Sequence, residues 1–300
     1  MKAFIAGGSG YVGRYLTAEL IKDDFEVTII GSSPQLKGRF PGRVRYLSAN
    51  TSIRGPWQDH VAEADVIVNL TGRSIFHLWT KKYKRQIYNS RIKTTRNLVE
   101  GISDDKHVTL VSTSAIGYYG ERGDDILTED DENGSDFLAE VCRDWETEAY
   151  LAESKGAKVV IARFGVVIGG KGGALGIMLL PYRFLVGGPM GTGKQWFSWI
   201  HIDDLVSALM LTIKRKNMKG VFNMCAPVPL RNEDMAKTIG TAMKRPSVMK
   251  VPAFMLKLIL GEYGSTLLQS QRGLPDNLQR QGFQFKYSNF KHAIDAILRK

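Results

Sequence analysis

Three hundred residues, 43% hydrophobic and 24% charged, describe a globular chain long enough for a large core and a second, smaller lobe. Its most apolar stretches, 176–188 and 251–261, are interrupted by Arg183 and Lys257 and are too short to cross a bilayer, which excludes a transmembrane span. The net charge of +11 asks for an anionic partner; its densest cluster, Lys81, Lys82, Lys84 and Arg85, reads as a solvated helix face, and with no nucleic-acid-binding signature a phosphate-bearing small molecule is expected ahead of nucleic acid.

In chain order, Lys2–Ala6 reads as a strand, followed by the tight turn Gly7-Gly8-Ser9-Gly10 and an amphipathic helix over Tyr11–Lys22. The chain enters that strand directly from Met1-Lys2, with no secretory signal pattern, so a cytoplasmic location is expected. The spacing Gly7, Gly10, Gly13 between strand and helix is that of a dinucleotide-binding turn. Gly7 permits the turn, Gly10 lets the backbone approach a diphosphate, and Gly13 lets the helix pack on the strand. The free N–H groups at the helix start, Tyr11 and Val12 included, then face the anion.

A second strand, Phe25–Ile30, ends in Gly31-Ser32-Ser33, where an NAD site usually carries an acid for the ribose 2′-hydroxyl. The acid is missing. Ser32 and Ser33, with Lys37 and Arg39 close by, suit a 2′-phosphate, so NADP(H) is favoured over NAD(H). Further strands are expected at Val44–Leu47, Asp65–Leu70, His107–Ser112 and Lys158–Phe164. Near-continuous apolar runs such as Val66-Ile67-Val68 belong to strands covered on both faces, so the fold expected is α/β, a Rossmann-type doubly wound parallel sheet with a smaller C-terminal substrate lobe.

After Gly165 the texture changes to glycine-rich loops around a short apolar helix, then Trp199–Leu211, a strand at Val221–Met224, and helical patterning at Glu233–Ala242 and Ala253–Leu260. The division expected is 1–165 for the dinucleotide-binding domain and 166–300 for the substrate lobe, with 195–225 crossing back. Gly188 to Lys194 has the glycine-to-lysine spacing of a P-loop, but Gln195 stands where Ser or Thr must hold Mg²⁺. Cys142 and Cys225 have no metal-ligand or redox spacing and are assigned no role.

Four segments together resemble a family: 7–13; Asp65-Val66-Ile67-Val68-Asn69-Leu70-Thr71-Gly72; Ser112-Thr113-Ser114-Ala115-Ile116-Gly117-Tyr118-Tyr119-Gly120; and Trp199-Ile200-His201-Ile202-Asp203-Asp204-Leu205. The chain resembles, over essentially its whole length, the extended short-chain dehydrogenase/reductases, in the atypical branch labelled epimerase family proteins or sugar-nucleotide epimerases, whose last lobe has no assigned function. The resemblance implies that backbone at Asn69, Leu70 and Thr71 lies along the cofactor, that Ser112 to Ser114 flank the nicotinamide, and that Arg163 to Val166 close over it. It also implies a bracing role for His201, which reads as a structural histidine.

One departure bears on function. Active members of the family use a Tyr and a Lys four residues later, the phenolate taking a proton from the substrate hydroxyl while the ammonium lowers its pKa. Residues 130–149 contain neither, and Val141 and Trp145 occupy the equivalent positions; Tyr287 and Lys291 have the spacing by chance. Two readings stay open. In one, the chain is an NADP(H)-dependent oxidoreductase or epimerase acting on a hydroxyl-bearing, nucleotide-linked small molecule, with catalytic Ser112 and Ser114 holding the reacting oxygen and Tyr119 or Tyr118 donating the proton. In the other, it is a catalytically silent NADP(H)-binding regulatory or scaffold protein. A homodimer is compatible with either, without an interface signature.

Overall fold

The computed structural model describes residues 1–36, 40, 42–170 and 172–299. Lys37 and Arg39, named above for a 2′-phosphate, lie outside the described residues. Seven strands build the main sheet: β1 Lys2–Ala6, β2 Glu26–Gly31, β3 Val44–Ser48, β4 Val66–Asn69, β5 Thr109–Ala115, β6 Lys158–Phe164 and β7 Gly220–Met224. They lie in the order β7-β6-β5-β4-β1-β2-β3, and every pairing is parallel. This is a Rossmann-type doubly wound sheet, whose order reverses between β1 and β4 and so opens a crevice beyond their carboxyl ends.

The two-sided burial read from the sequence has a direct cause. Helices α1 (Tyr11–Lys22) and α5 (Ile202–Lys214) cover one face, where Leu16, Leu20, Leu205 and Leu209 pack on Ile5, Ile29 and Val160. Helices α2 (Lys81–Glu100) and α3 (Phe137–Tyr150) cover the other, Leu98 and Ala149 meeting Phe4, Ile67, Leu110 and Ile161. Helix α4 (Gly173–Arg183), α6 (Asn232–Met243) and α8 (Phe290–Leu298) share a third core around Trp199 and Ile239, and α7 (Ala253–Leu260) leads toward a cluster around Trp79 and Tyr263.

Two elements differ from the sequence expectation by more than a residue at an end. β5 runs through Ser112, Thr113 and Ser114 to Ala115, because this polar run stays paired with β6 as far as Ala115 opposite Phe164. Trp199–Leu211 divides into a short strand, Trp199–His201, and α5, with His201 capping the helix: its Nδ1 accepts from the Asp203 N–H at 3.1 Å. Tyr287 lies against the His201 ring at 3.9 Å between centroids, in the C-terminal core.

Candidate functional site

Strand register sets the site's floor. Ala6 pairs with Asn69, Asn69 with Ser112, Ser114 with Arg163, and Arg163 with Asn223, so side chains distant in sequence share the carboxyl edge of the sheet.

At the glycine turn, Gly7 has φ +79° and a Cβ there would stand 2.9 Å from the Leu70 carbonyl carbon. A Cβ on Gly13 would fall 2.5 Å from the Gly8 carbonyl oxygen. Both close approaches need glycine. Gly10 caps α1 without a side chain, and the first turn holds no acid. The N–H groups of Tyr11, Val12 and Gly13 make no hydrogen bond among the described residues. The Tyr11 hydroxyl donates to the Gly170 carbonyl at 3.3 Å, tying the turn to the loop before α4. Beyond β2, Ser32 is exposed and the Ser33 carbonyl accepts from the Tyr46 hydroxyl at 2.7 Å.

Along the crevice, Asn69 donates through Nδ2 to Thr95 Oγ1 at 2.8 Å and accepts from the Thr71 N–H at 3.2 Å. Thr71 Oγ1, Ser112 Oγ and Trp145 Nε1 are buried without a partner among the described residues. Orphaned polar atoms of this kind are rare in folded interiors. Thr71 stands beside the turn, where a Gly7 Cβ would meet its N atom at 3.2 Å, and this uncapped helix start with its glycine cradle fits a polyanionic ligand such as a dinucleotide. Arg91 of α2 stands 5.2 Å from the Trp145 ring centroid, and burial pulls its pKa down.

Beneath the crevice lies a buried ion pair. Arg163 donates from Nε and Nη2 to the two oxygens of Glu146, at 2.9 and 2.8 Å, and both side chains are almost fully enclosed. Burial works against the guanidinium charge, but the hydrogen bonds and charge of Glu146 outweigh it, and the Arg163 pKa lies above its ordinary value. Ser114 donates to Glu146 Oε1 at 2.6 Å. Arg163 Nη1 donates to the Tyr119 hydroxyl at 2.8 Å, which in turn donates to Asn223 Oδ1 at 2.8 Å. Tyr119 is 0% exposed, and burial pushes its pKa well up. Tyr118 is half-buried, with the Arg163 guanidinium 3.5 Å from its ring centroid, and its hydroxyl makes no hydrogen bond among the described residues.

The structure therefore gathers Ser112, Ser114 and Arg163 at one edge, and gives Tyr119 two buried partners. It adds Glu146, Glu129 and Asn223, which the sequence reading missed. Glu146 carried a signal: Ala139, Cys142, Glu146 and Ala149 follow one helical stripe, so a carboxylate sits on an apolar face. Burial lifts the Cys142 thiol to about 11, which leaves it inert at neutral pH.

Glu129 ends the network. Its Oε1 accepts from the Asn223 and Asn277 N–H groups, at 2.8 and 3.2 Å, while Oε2 is buried without a partner. Burial raises its pKa. The folded protein thus keeps a proton that the unfolded chain releases above about pH 4.3. Stability on this account falls as pH rises from there through the raised value. Glu129→Gln is expected to flatten that slope and to gain on the order of 1 kcal/mol at neutral pH; thermal unfolding across pH checks both.

The model of the "NAD dependent epimerase/dehydratase family" matches residues 3–225. The chain belongs to that family. A second model, of a domain of unknown function (DUF1731), matches residues 251–297. An "Epimerase family protein" of Staphylococcus haemolyticus is 41% identical over 302 residues, covering 99% of each chain. The crystal structure of human epimerase family protein SDR39U1 (isoform 2) with NADPH is 28% identical, with a TM-score of 0.88 and full coverage of both chains. A nucleoside-diphosphate sugar epimerase from Corynebacterium glutamicum is 33% identical with a TM-score of 0.79, over 99% of this chain and 58% of that one. This epimerase-family chain keeps the fold of these proteins throughout, and among its described residues no helix is long and apolar enough to cross a membrane.

Proposed function

We propose that this family member binds NADP(H) across the carboxyl ends of β1, β2, β4 and β5 and acts as an oxidoreductase or epimerase on a hydroxyl-bearing, nucleotide-linked small molecule. The observation that carries the reading is the uncapped α1 start beside the Gly7–Gly13 cradle, together with the orphaned Thr71, Ser112 and Trp145 atoms. The human relative crystallised with NADPH and the name of the Corynebacterium neighbour support the cofactor and the substrate class.

In this reading the N–H groups of Tyr11, Val12 and Gly13 hold the diphosphate, Ser32 and Ser33 the 2′-phosphate, and Asn69 to Thr71 line the path between them. When bound, the dinucleotide supplies or accepts hydride. Ser112 Oγ has both its proton and its lone pairs to offer the reacting oxygen. The Ser114 hydroxyl already donates its hydrogen bond to Glu146, so toward a substrate hydroxyl it acts as an acceptor. The proton donor is assigned to Tyr118, because the Tyr119 hydroxyl is enclosed between Arg163 and Asn223. Arg163 anchors both tyrosines. Residues 166–300 supply substrate recognition.

The second reading, binding without turnover, is supported by α3, which holds neither Lys nor, before Tyr150, Tyr; Val141 and Trp145 stand where the resemblance implies that pair. One titration series separates the two. NADPH is expected to quench tryptophan fluorescence with about tenfold tighter binding than NADH, the worth of one charged contact. Oxidation of NADPH against a carbonyl panel, lost in Tyr118→Phe, supports the enzyme. Tight binding with no oxidation supports the holder, and no binding of either nucleotide at millimolar levels refutes both.

A further inference from the structure

Most of the exposed large apolar side chains among the described residues fall in two segments, 177–186 and 248–259. Ile177, Leu180 and Phe184 form an outward stripe along and just past α4, and Phe184 is 70% exposed. Val248, Phe254 and Leu258, at 84, 68 and 81% exposure, form a second stripe before and along α7. The two segments are joined at their bases: the Met249 N–H donates to the Gly187 carbonyl at 3.3 Å, and Met190 bridges to Val251. Outward apolar stripes on two segments hydrogen-bonded to each other are uncommon on a soluble monomer and mark a docking surface.

Charge names the partner. The segments 173–190 and 244–261 hold Arg183, Lys244, Arg245, Lys250 and Lys257, all exposed, and not one Asp or Glu, although the whole chain carries 30 acids. A second copy of the chain would set these cations against one another across a twofold interface, since a self-complementary patch meets itself. An anionic bilayer surface satisfies both halves of the pattern: apolar side chains enter the acyl boundary while lysines and arginines lie among the headgroups.

We propose that the face formed by α4, α7 and the loops before α7 seats the protein on anionic phospholipid bilayers, as a peripheral contact with no spanning element. The site needs no conformational change, because both stripes already point outward. It is independent of the cofactor reading.

The test is co-sedimentation of the full chain with vesicles of phosphatidylcholine alone or mixed with phosphatidylglycerol. Binding is expected to be at least about tenfold tighter on the mixed vesicles and to weaken with salt. The exposed-site variant Phe254→Glu/Leu258→Glu is expected to lose it while keeping its circular dichroism and thermal midpoint, and Lys250→Glu/Lys257→Glu is expected to lose the preference for anionic lipid. Absence of binding to either vesicle overturns the proposal, as does binding that both variants retain. A dimer in sedimentation velocity that Phe254→Glu/Leu258→Glu dissociates also overturns it, by giving the face to a second copy.

Discussion

Glu146→Ala is expected to cost about 3–5 kcal/mol of folding stability, the penalty for leaving a buried guanidinium without its counter-charge. Arg163 keeps two of its donors on Glu146 and a third on Tyr119, and neither member of the pair reaches solvent. Removing the carboxylate also strips Ser114 of its acceptor. Against a typical total of about 5–15 kcal/mol, such a loss leaves the protein marginal at physiological temperature. Urea denaturation measures it. The double variant Glu146→Leu/Arg163→Met should regain most of the stability, since an apolar pair of similar volume costs no desolvation. A loss below about 1 kcal/mol in the single variant would mean that the pair is not closed as described.

Gly7→Val should abolish dinucleotide binding, weakening it by on the order of a hundredfold or more, equivalent to roughly 3 kcal/mol. Its φ of +79° is one that a β-branched residue strongly disfavours, and the added carbon would press on the Leu70 carbonyl at 2.9 Å. Relief requires the turn to move, and the Tyr11 and Val12 amides at the start of α1 move with it. Gly10→Ala is the milder control: φ is −73° there, and the new carbon meets only the Gly7 carbonyl oxygen, at 3.1 Å. Calorimetric titration with NADPH of both variants, after checking that each is folded, distinguishes them. Unchanged affinity in Gly7→Val would remove the turn from the site.

The sheet was legible in the sequence wherever apolar runs were continuous. β1 and β6 have the ends expected from their patterning, and β3 runs one residue further. β5 was placed short because Ser112-Thr113-Ser114 lacks apolar character, although its backbone pairing continues to Ala115. The glycine turn was readable because all its parts lie within residues 7–13 and its chemistry is that of the main chain. The buried network was not, because Ser114, Tyr119, Glu129, Glu146, Arg163 and Asn223 come from strands, loops and a helix more than 100 residues apart. Only register and burial bring them together. Tyr119 illustrates the difference: its place after the β5 serines suggested a reacting phenol, and its neighbours hold both sides of its hydroxyl.

The return of the chain at Gly220 to lie beside Lys158–Phe164 makes the two halves a closed loop rather than beads on a string. A fragment ending at residue 165 would lack both the outermost strand and the Asn223 amide that meets Tyr119. Genetic exchange between relatives therefore finds no seam at residue 165, where the sheet is still incomplete. A breakpoint between 165 and 220 severs the ring, so the strands up to Lys158–Phe164 and the strand at Gly220–Met224 are inherited together.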